Sequence, residues 1–255
     1  MKKRIIIKVG TKVLTTMEGR LDVAVVKRLA AQIGAIKKKG NEVILVTSGA
    51  MGSGRSLIKP KKDSPVIEKQ VLAAVGQVKL MSTYFDAFAR HDLICAQVLV
   101  TKEDFRDKKH YLNMKNCFEN LLRSGAVPVV NENDVVATSE LLFTDNDELT
   151  GLIASQLKAD KVILLTSVDG FLASDGKDGK SRVIHEIKTK NIGSYKKHVS
   201  SDKSDGGRGG MTSKFAVAKK LALEGIAVHI GNGKKKNIIL DMLSGKRVGT
   251  KFYSK

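Results

Sequence analysis

Short runs of branched apolar residues alternate along the chain with longer stretches whose apolar positions recur every three or four residues. The first run, residues 5–9, is β-branched, ends at Gly10 and predicts a buried strand. Asp22 stands as an N-cap before Val23, Val26, Ala30, Ile33 and Ile36, which share one helical face that closes near Gly40. Residues 43–47 predict a second strand, followed by a glycine-rich turn over 48–54. Ser64-Pro65 opens a long helix reaching about Arg90, and 93–100 reads as a strand. A helix over 111–123 leads to a strand at 127–130, which runs into Asn131-Glu132-Asn133-Asp134. Asp145 begins a helix through Lys158, and 162–166 is again a buried strand. The polar, glycine-spotted stretch 169–191 predicts a hairpin with loops. A glycine-rich loop over 204–210 precedes a helix from 211 to 224, and strands at 226–230 and 248–253 complete the pattern.

Strands alternating with helices imply an α/β protein: a three-layer αβα sandwich with an open, mostly parallel central sheet. The chain has no internal repeat and no low-complexity linker, so a single domain over 1–255 is expected. In such sheets ligands sit outside the carboxyl ends of the strands. The chemistry is therefore expected in the segments that directly follow them.

Composition narrows the function classes. At 42% hydrophobic and 28% charged, the chain can bury a real core, and no apolar run approaches the ~20 residues that cross a bilayer. A lysine at position 8 interrupts the apolar run where a signal peptide would continue, and Cys95 and Cys117 form no C-x-x-C pair; a cytoplasmic location is expected. The net charge is +19, but its lysines fall in scattered clusters such as 37–39 and 234–236, and aromatics are only 5%. That pattern disfavours nucleic acid as the partner and suits attraction of anionic small molecules.

Unusual residues cluster after the predicted strands. Lys8 lies among Ile7 and Val9 in a segment expected to be buried, where a lone ammonium is costly and an anionic partner is expected. Ser48-Gly49-Ala50 is either a plain turn or a place where backbone N–H groups approach an anion. Asp145-Asn146-Asp147 taken alone reads as a helix cap. Lys214 opposes the dipole in the first turn of its helix, which hints at an anion there. Standard motifs are missing: Gly179-Lys180-Ser181 mimics the end of a P-loop, but Ser174 stands where its first glycine is required. The five histidines have no metal-ligand spacing.

Taken together, several segments resemble the amino acid kinase family, and within it the members that phosphorylate glutamate. They are residues 8–14, 46–50, 72–77 and 128–134, with Asp145-Asn146-Asp147 and Gly209-Gly210-Met211 with Lys214. The resemblance is collinear from Lys8 to about Gly249. It implies ATP-dependent phosphorylation of the L-glutamate side-chain carboxylate to L-glutamyl 5-phosphate, the first step of L-proline biosynthesis. It also implies an amino-acid-binding half over about 1–160 and a nucleotide-binding half over 161–255. Lys8 and Lys214 would act on the transferring phosphoryl group, with Asp147 holding them. Ser48, Asp134 and Asn146 would bind glutamate. ATP would lie against Lys8, Gly10, Thr166, Ser167 and the segment Arg208, Gly209, Gly210, Met211, Thr212, Ser213 and Lys214. Mg²⁺ would be held mainly by the ATP phosphates, with no metal ligand from the protein. A homo-oligomer and feedback inhibition by L-proline are further implications. Many such members carry a C-terminal PUA domain; the chain stops at Lys255, so none is expected. Thr144 stands where these members have Gly, Arg208 and Ser213 where they have Thr, and Ser167 where Asp is common.

Overall fold

The computed structural model describes residues 2–60, 64–136, 143, 145–174, 181–198 and 210–254. Its elements begin with β1 (Arg4–Val9), a short α1 (Thr11–Leu14), α2 (Val23–Lys38), β2 (Glu42–Val46), α3 (Ala50–Arg55) and the long α4 (Pro65–Ala89). Next come β3 (Cys95–Val100), α5 (Lys108–Arg123), β4 (Val127–Glu132), α6 (Asn146–Gln156) and β5 (Lys161–Thr166). The remainder is β6 (Leu172–Ser174), β7 (Ser181–Val183), β8 (Glu186–Lys188), α7 (Met211–Leu223), β9 (Ala227–Asn232), α8 (Ile238–Leu243) and β10 (Thr250–Tyr253).

Eight of these strands form one sheet in the order β3-β4-β2-β1-β5-β9-β10-β8; within the stretch 169–191, where a hairpin is expected, β6 and β7 make a separate antiparallel pair and β8 joins the large sheet. Every pairing in the large sheet is parallel except β9 with β10. β1 is central because its residues are buried on both faces, and the period of two along a strand divides them. Ile5, Ile7 and Val9 pack toward α2, α4 and α8, whereas Ile6 faces the layer built from α5, α6 and α7. Each fully buried side chain of this kind contributes about 1.5–3 kcal/mol. Lys8 shares the face of Ile6, so it points from the carboxyl end of β1 toward the beginnings of α6 and α7.

The main difference from the sequence pattern is at 48–54. Instead of a turn, the structure has α3, entered through Gly49 in a left-handed conformation (φ 101°). α3 crosses α4 with almost no separation: a Cβ on Gly54 would strike the Leu72 carbonyl, and one on Gly76 the Ala50 carbonyl. Glycine here serves contact between two backbones, which brings α4 to the edge of the site. Helix α5 begins at Lys108, capped by the Asp107 side chain, rather than at 111. Both α1 and α8 are too short to show a helical period.

Candidate active site

Asp145 caps α6 by accepting hydrogen bonds from the backbone N–H groups of Asp147 and Glu148 at 2.8 and 3.0 Å. That cap aims Asp147, the second residue of the helix, inward, where the positive end of the helix dipole favours its charge. α7 starts next to it. Gly151 on α6 lets the two helices close up, since a Cβ there would stand 3.2 Å from Val217 Cγ1. The fourth residue of α7 is Lys214. Its ammonium donates to Asp147 Oδ2 at 2.9 Å, and Lys8 Nζ forms an ion pair with Asp147 Oδ1 at 2.8 Å. The three side chains come from three elements distant in sequence and are buried to 6%, 0% and 8% exposure for Lys8, Asp147 and Lys214.

Burial is the largest influence on Asp147 and pushes its carboxyl up. The two ammonium charges and their hydrogen bonds outweigh it and hold the carboxyl below its ordinary range. One carboxylate between two ammonium groups leaves the cluster with a net charge of about +1. Gly10 keeps the space beside Lys8 open: a Cβ there would stand 3.7 Å from Lys8 Nζ. The Gly10 N–H is itself bonded to the Leu165 carbonyl at 3.2 Å, so Gly10 supplies room there rather than a free backbone donor.

Asn146, directly before Asp147, belongs to a second cluster. Its Nδ2 approaches the Thr47 carbonyl at 2.6 Å, Ser48 Oγ at 2.9 Å and Asn131 Oδ1 at 3.1 Å. Asn131 Nδ2 in turn donates to Gln77 Oε1 on α4 at 3.1 Å. With its nitrogen facing three acceptors, Asn146 turns its Oδ1 the other way. Ser48 Oγ receives a hydrogen bond and keeps its own O–H to give. Asp134 sits in the turn beyond β4, which Gln70 of α4 holds by donating to the Val135 carbonyl at 2.7 Å. Ser48, Asp134 and Asn146 are all half-buried, as a site open to a small molecule requires.

At the ends of β5 and β9 the Thr166 carbonyl accepts from Gly233 N–H at 2.9 Å, and Ser167 is exposed. Beside them Asp169 accepts from Asn232 Nδ2 at 3.0 Å and pairs with Lys235 Nζ at 2.7 Å, a cluster that the sequence pattern did not single out. Gly210, Met211, Thr212 and Ser213 form the cap and first turn of α7, so this turn and Lys214 share one helix end. Arg208, Gly209 and Thr144 lie outside the described residues. Asn131 and Gln77 are the site residues that sequence reasoning left without a role. The signal for Gln77 was available: it is the polar member of the otherwise apolar helical stripe Ala73, Gln77, Leu80 and Tyr84.

A mostly parallel sheet flanked by helices, with a buried cationic cluster at the carboxyl ends of its strands, defines an α/β protein whose polar residues gather where such sheets take their ligands. The sequence model of the amino acid kinase family matches residues 3–232, and the chain belongs to that family. Its curated relatives narrow the comparison to one kind of member. A glutamate 5-kinase of Chlorobaculum tepidum is 49% identical over 98% of this chain and 69% of its own length. One of Bacteroides thetaiotaomicron is 47% identical over 94% of this chain and 66% of its own length. The chain thus spans about two thirds of the curated relatives it matches. Among solved structures, carbamate kinase from Giardia lamblia bound to AMP-PNP superposes with a TM-score of 0.72 at 17% identity, covering 100% of this chain and 99% of that one. UMP kinase from Bacillus anthracis gives 0.65 at 15% identity, covering 99% of this chain and 96% of that one. These two share the fold. No helix among the described residues is long and apolar enough to cross a membrane.

Proposed function

We propose that this chain transfers the γ-phosphoryl group of MgATP to the side-chain carboxylate of L-glutamate, giving L-glutamyl 5-phosphate and ADP. The observation that carries this reading is the contiguity of two clusters: the buried Lys8–Asp147–Lys214 network and, one residue earlier in α6, the amide and hydroxyl set around Asn146. The curated relatives at 47–49% identity, named glutamate 5-kinase, supply the acceptor.

The acceptor carboxylate is already ionised at neutral pH, so it attacks without a general base. A carboxylate oxygen forms a bond to the γ-phosphorus as the bond from that phosphorus to the β–γ bridging oxygen breaks, and ADP departs with that oxygen. The barrier is dominated by bringing two anions together and by charge on the transferring group. Lys8 and Lys214 approach that group from two different elements, and Asp147 holds both ammonium groups at 2.8 and 2.9 Å, so little reorganisation is needed. Mg²⁺ would be held mainly by the ATP phosphates, where it would offset part of their charge. Both oxygens of Asp147 are occupied by lysine, so this carboxylate is a positioning group and not a metal ligand. Asp134 and Asn146 Oδ1 suit the substrate ammonium, and the Ser48 hydroxyl suits its α-carboxylate. Thr166, Ser167 and the segment from Arg208 to Ser213 are assigned to the nucleotide. The division into an amino-acid half before about residue 160 and a nucleotide half after it follows from these assignments.

The test is ATP turnover with Mg²⁺ across glutamate, aspartate, N-acetylglutamate, carbamate and UMP, with hydroxylamine present to trap an acyl phosphate. Hydroxamate with glutamate alone is expected. Turnover only with another acceptor would keep phosphoryl transfer and reject glutamate.

A further inference from the structure

Three side-chain amides form a chain from a backbone carbonyl to helix α4, and their order is forced. The Thr47 carbonyl can only accept, so Asn146 must present Nδ2 to it, at 2.6 Å. The same nitrogen faces Asn131, which must therefore answer with Oδ1, at 3.1 Å. Asn131 then has its Nδ2 turned toward Gln77, and Gln77 must answer with Oε1, also at 3.1 Å. Any one amide turned over would set N–H against N–H or oxygen against oxygen.

Gln77 bears a cost for its place at the end of this chain. With Oε1 committed to Asn131, its Nε2 is buried with no hydrogen-bond partner among the described residues. An unpaired buried N–H destabilises by roughly the amount that an apolar side chain of the same size would avoid. Its neighbours on the same face of α4, Ala73, Leu80 and Tyr84, are buried, so the packing there suits leucine or methionine, and only Asn131 would lose by the exchange. A glutamine kept under these conditions serves through the one atom that is engaged, Oε1.

We propose that Gln77 is a positioning residue for the amino-acid acceptor. The Thr47 carbonyl sets which way round the Asn146 amide lies; Gln77 anchors Asn131, and through it holds Asn146 in that place, where the pocket accepts and donates. Asn146 Oδ1 is left as an acceptor for an ammonium group, and Ser48, whose Oγ takes a hydrogen bond from Asn146 at 2.9 Å, is left as a donor to a carboxylate. A zwitterionic α-amino acid carries one group of each kind. This inference rests on the acceptor reading above and adds to it a residue that holds the pocket's polar groups in place.

The experiment replaces Gln77 with methionine, which keeps the volume and removes the acceptor. Asn131 then loses its anchor on α4, and Asn146 is held by the Thr47 carbonyl and Ser48 without a fixed Asn131 behind it. The KM for glutamate is expected to rise about tenfold, because the loosened Asn131 and Asn146 side chains must be ordered when glutamate binds, while the KM for MgATP and kcat stay within about twofold. A purely structural role would move all three together. In a background of Asn131→Leu, Gln77→Met should add no further rise, because the chain is already broken. A glutamate KM within twofold of wild type, a parallel rise in the MgATP KM, or an equal effect in both backgrounds would overturn the proposal. Should Gln77→Met fail to fold, Gln77→Ala carries the same prediction and the same refutation. Wild type run alongside separates the two levels. If it turns over glutamate and the variant does not differ, only the role of Gln77 fails. If wild type shows no glutamate-dependent turnover, the acceptor reading fails and takes the inference with it.

Discussion

Replacing Asp147 with asparagine removes one charge and leaves the shape of the site intact. In the native cluster that carboxylate lies 2.8 Å from Lys8 Nζ and 2.9 Å from Lys214 Nζ and is fully buried. An asparagine offers one oxygen, so one ammonium meets an N–H₂ group and both lose their counter-charge. Removing one partner from a buried ion network costs about 3–5 kcal/mol. In a chain of this size about 1 kcal/mol moves Tm by about 2–4 °C, so Asp147→Asn is expected to lower Tm by about 10 °C. The cost arises from uncompensated positive charge, so an anion should recover it. A non-hydrolysable ATP analogue with Mg²⁺ is expected to raise the Tm of the variant by more than it raises that of wild type. With the lysines no longer fixed, kcat should fall by about 10²–10³, the range for losing a preorganised electrostatic contact. The assays are thermal unfolding with and without the analogue, and steady-state turnover. A variant whose Tm lies within about 2 °C of wild type and whose kcat is within threefold would refute the claim that the carboxylate organises the two lysines.

Other expectations follow from the same geometry. Lys8→Met and Lys214→Met should each cut kcat by orders of magnitude while far-ultraviolet circular dichroism stays native; near-wild-type turnover removes that lysine from the transfer centre. Asp134→Ala should raise mainly the KM for glutamate, and an unchanged value would move the ammonium site elsewhere. Gly76→Ala drives a Cβ into the Ala50 carbonyl; chemical denaturation should show a loss of about 3 kcal/mol, and a fully stable variant would contradict the close crossing of α3 and α4. His229 is buried between the positive charges of Lys161 and Lys251, and burial first, then those charges, lower its pKa from 6.5 to about 4. A depressed value means stability is complete above about pH 6.5 and is lost as pH falls toward 4, by about 3 kcal/mol over that window. His229→Leu should flatten this part of the pH–Tm curve; an unaltered slope would assign the acid sensitivity to other groups.

What was legible in the sequence and what was not follow from different ranges of interaction. β1, β2, β4 and β5 stood out because strands buried on both faces are written as unbroken apolar runs, and α2 and α4 because their caps, Asp22 and Ser64, precede a helical stripe. α3 did not stand out. Its three glycine or serine positions at 52–54 speak for a turn, and its helical form is fixed by contact with α4 rather than by local preference. The residues proposed for transfer could be nominated one by one from a buried lysine and a lysine at a helix start. That Lys8 and Lys214 meet the same carboxylate depends on α6 and α7 closing over the end of β1, which local spacing cannot specify. The amide chain was the least visible part, because Thr47 enters it through its backbone carbonyl, which carries no sequence signature.

In the proposed reaction a glutamate carboxylate oxygen becomes bonded to the transferred phosphorus. L-Glutamate labelled with oxygen-18 in both side-chain carboxylate oxygens tests it directly. With MgATP and hydroxylamine present, the amine attacks the acyl carbon and releases phosphate that keeps the bridging oxygen. Mass spectrometry should find one heavy oxygen in each phosphate formed, matched by an equal amount of γ-glutamyl hydroxamate. Phosphate free of the label would mean that ATP is cleaved by water, and would contradict the account.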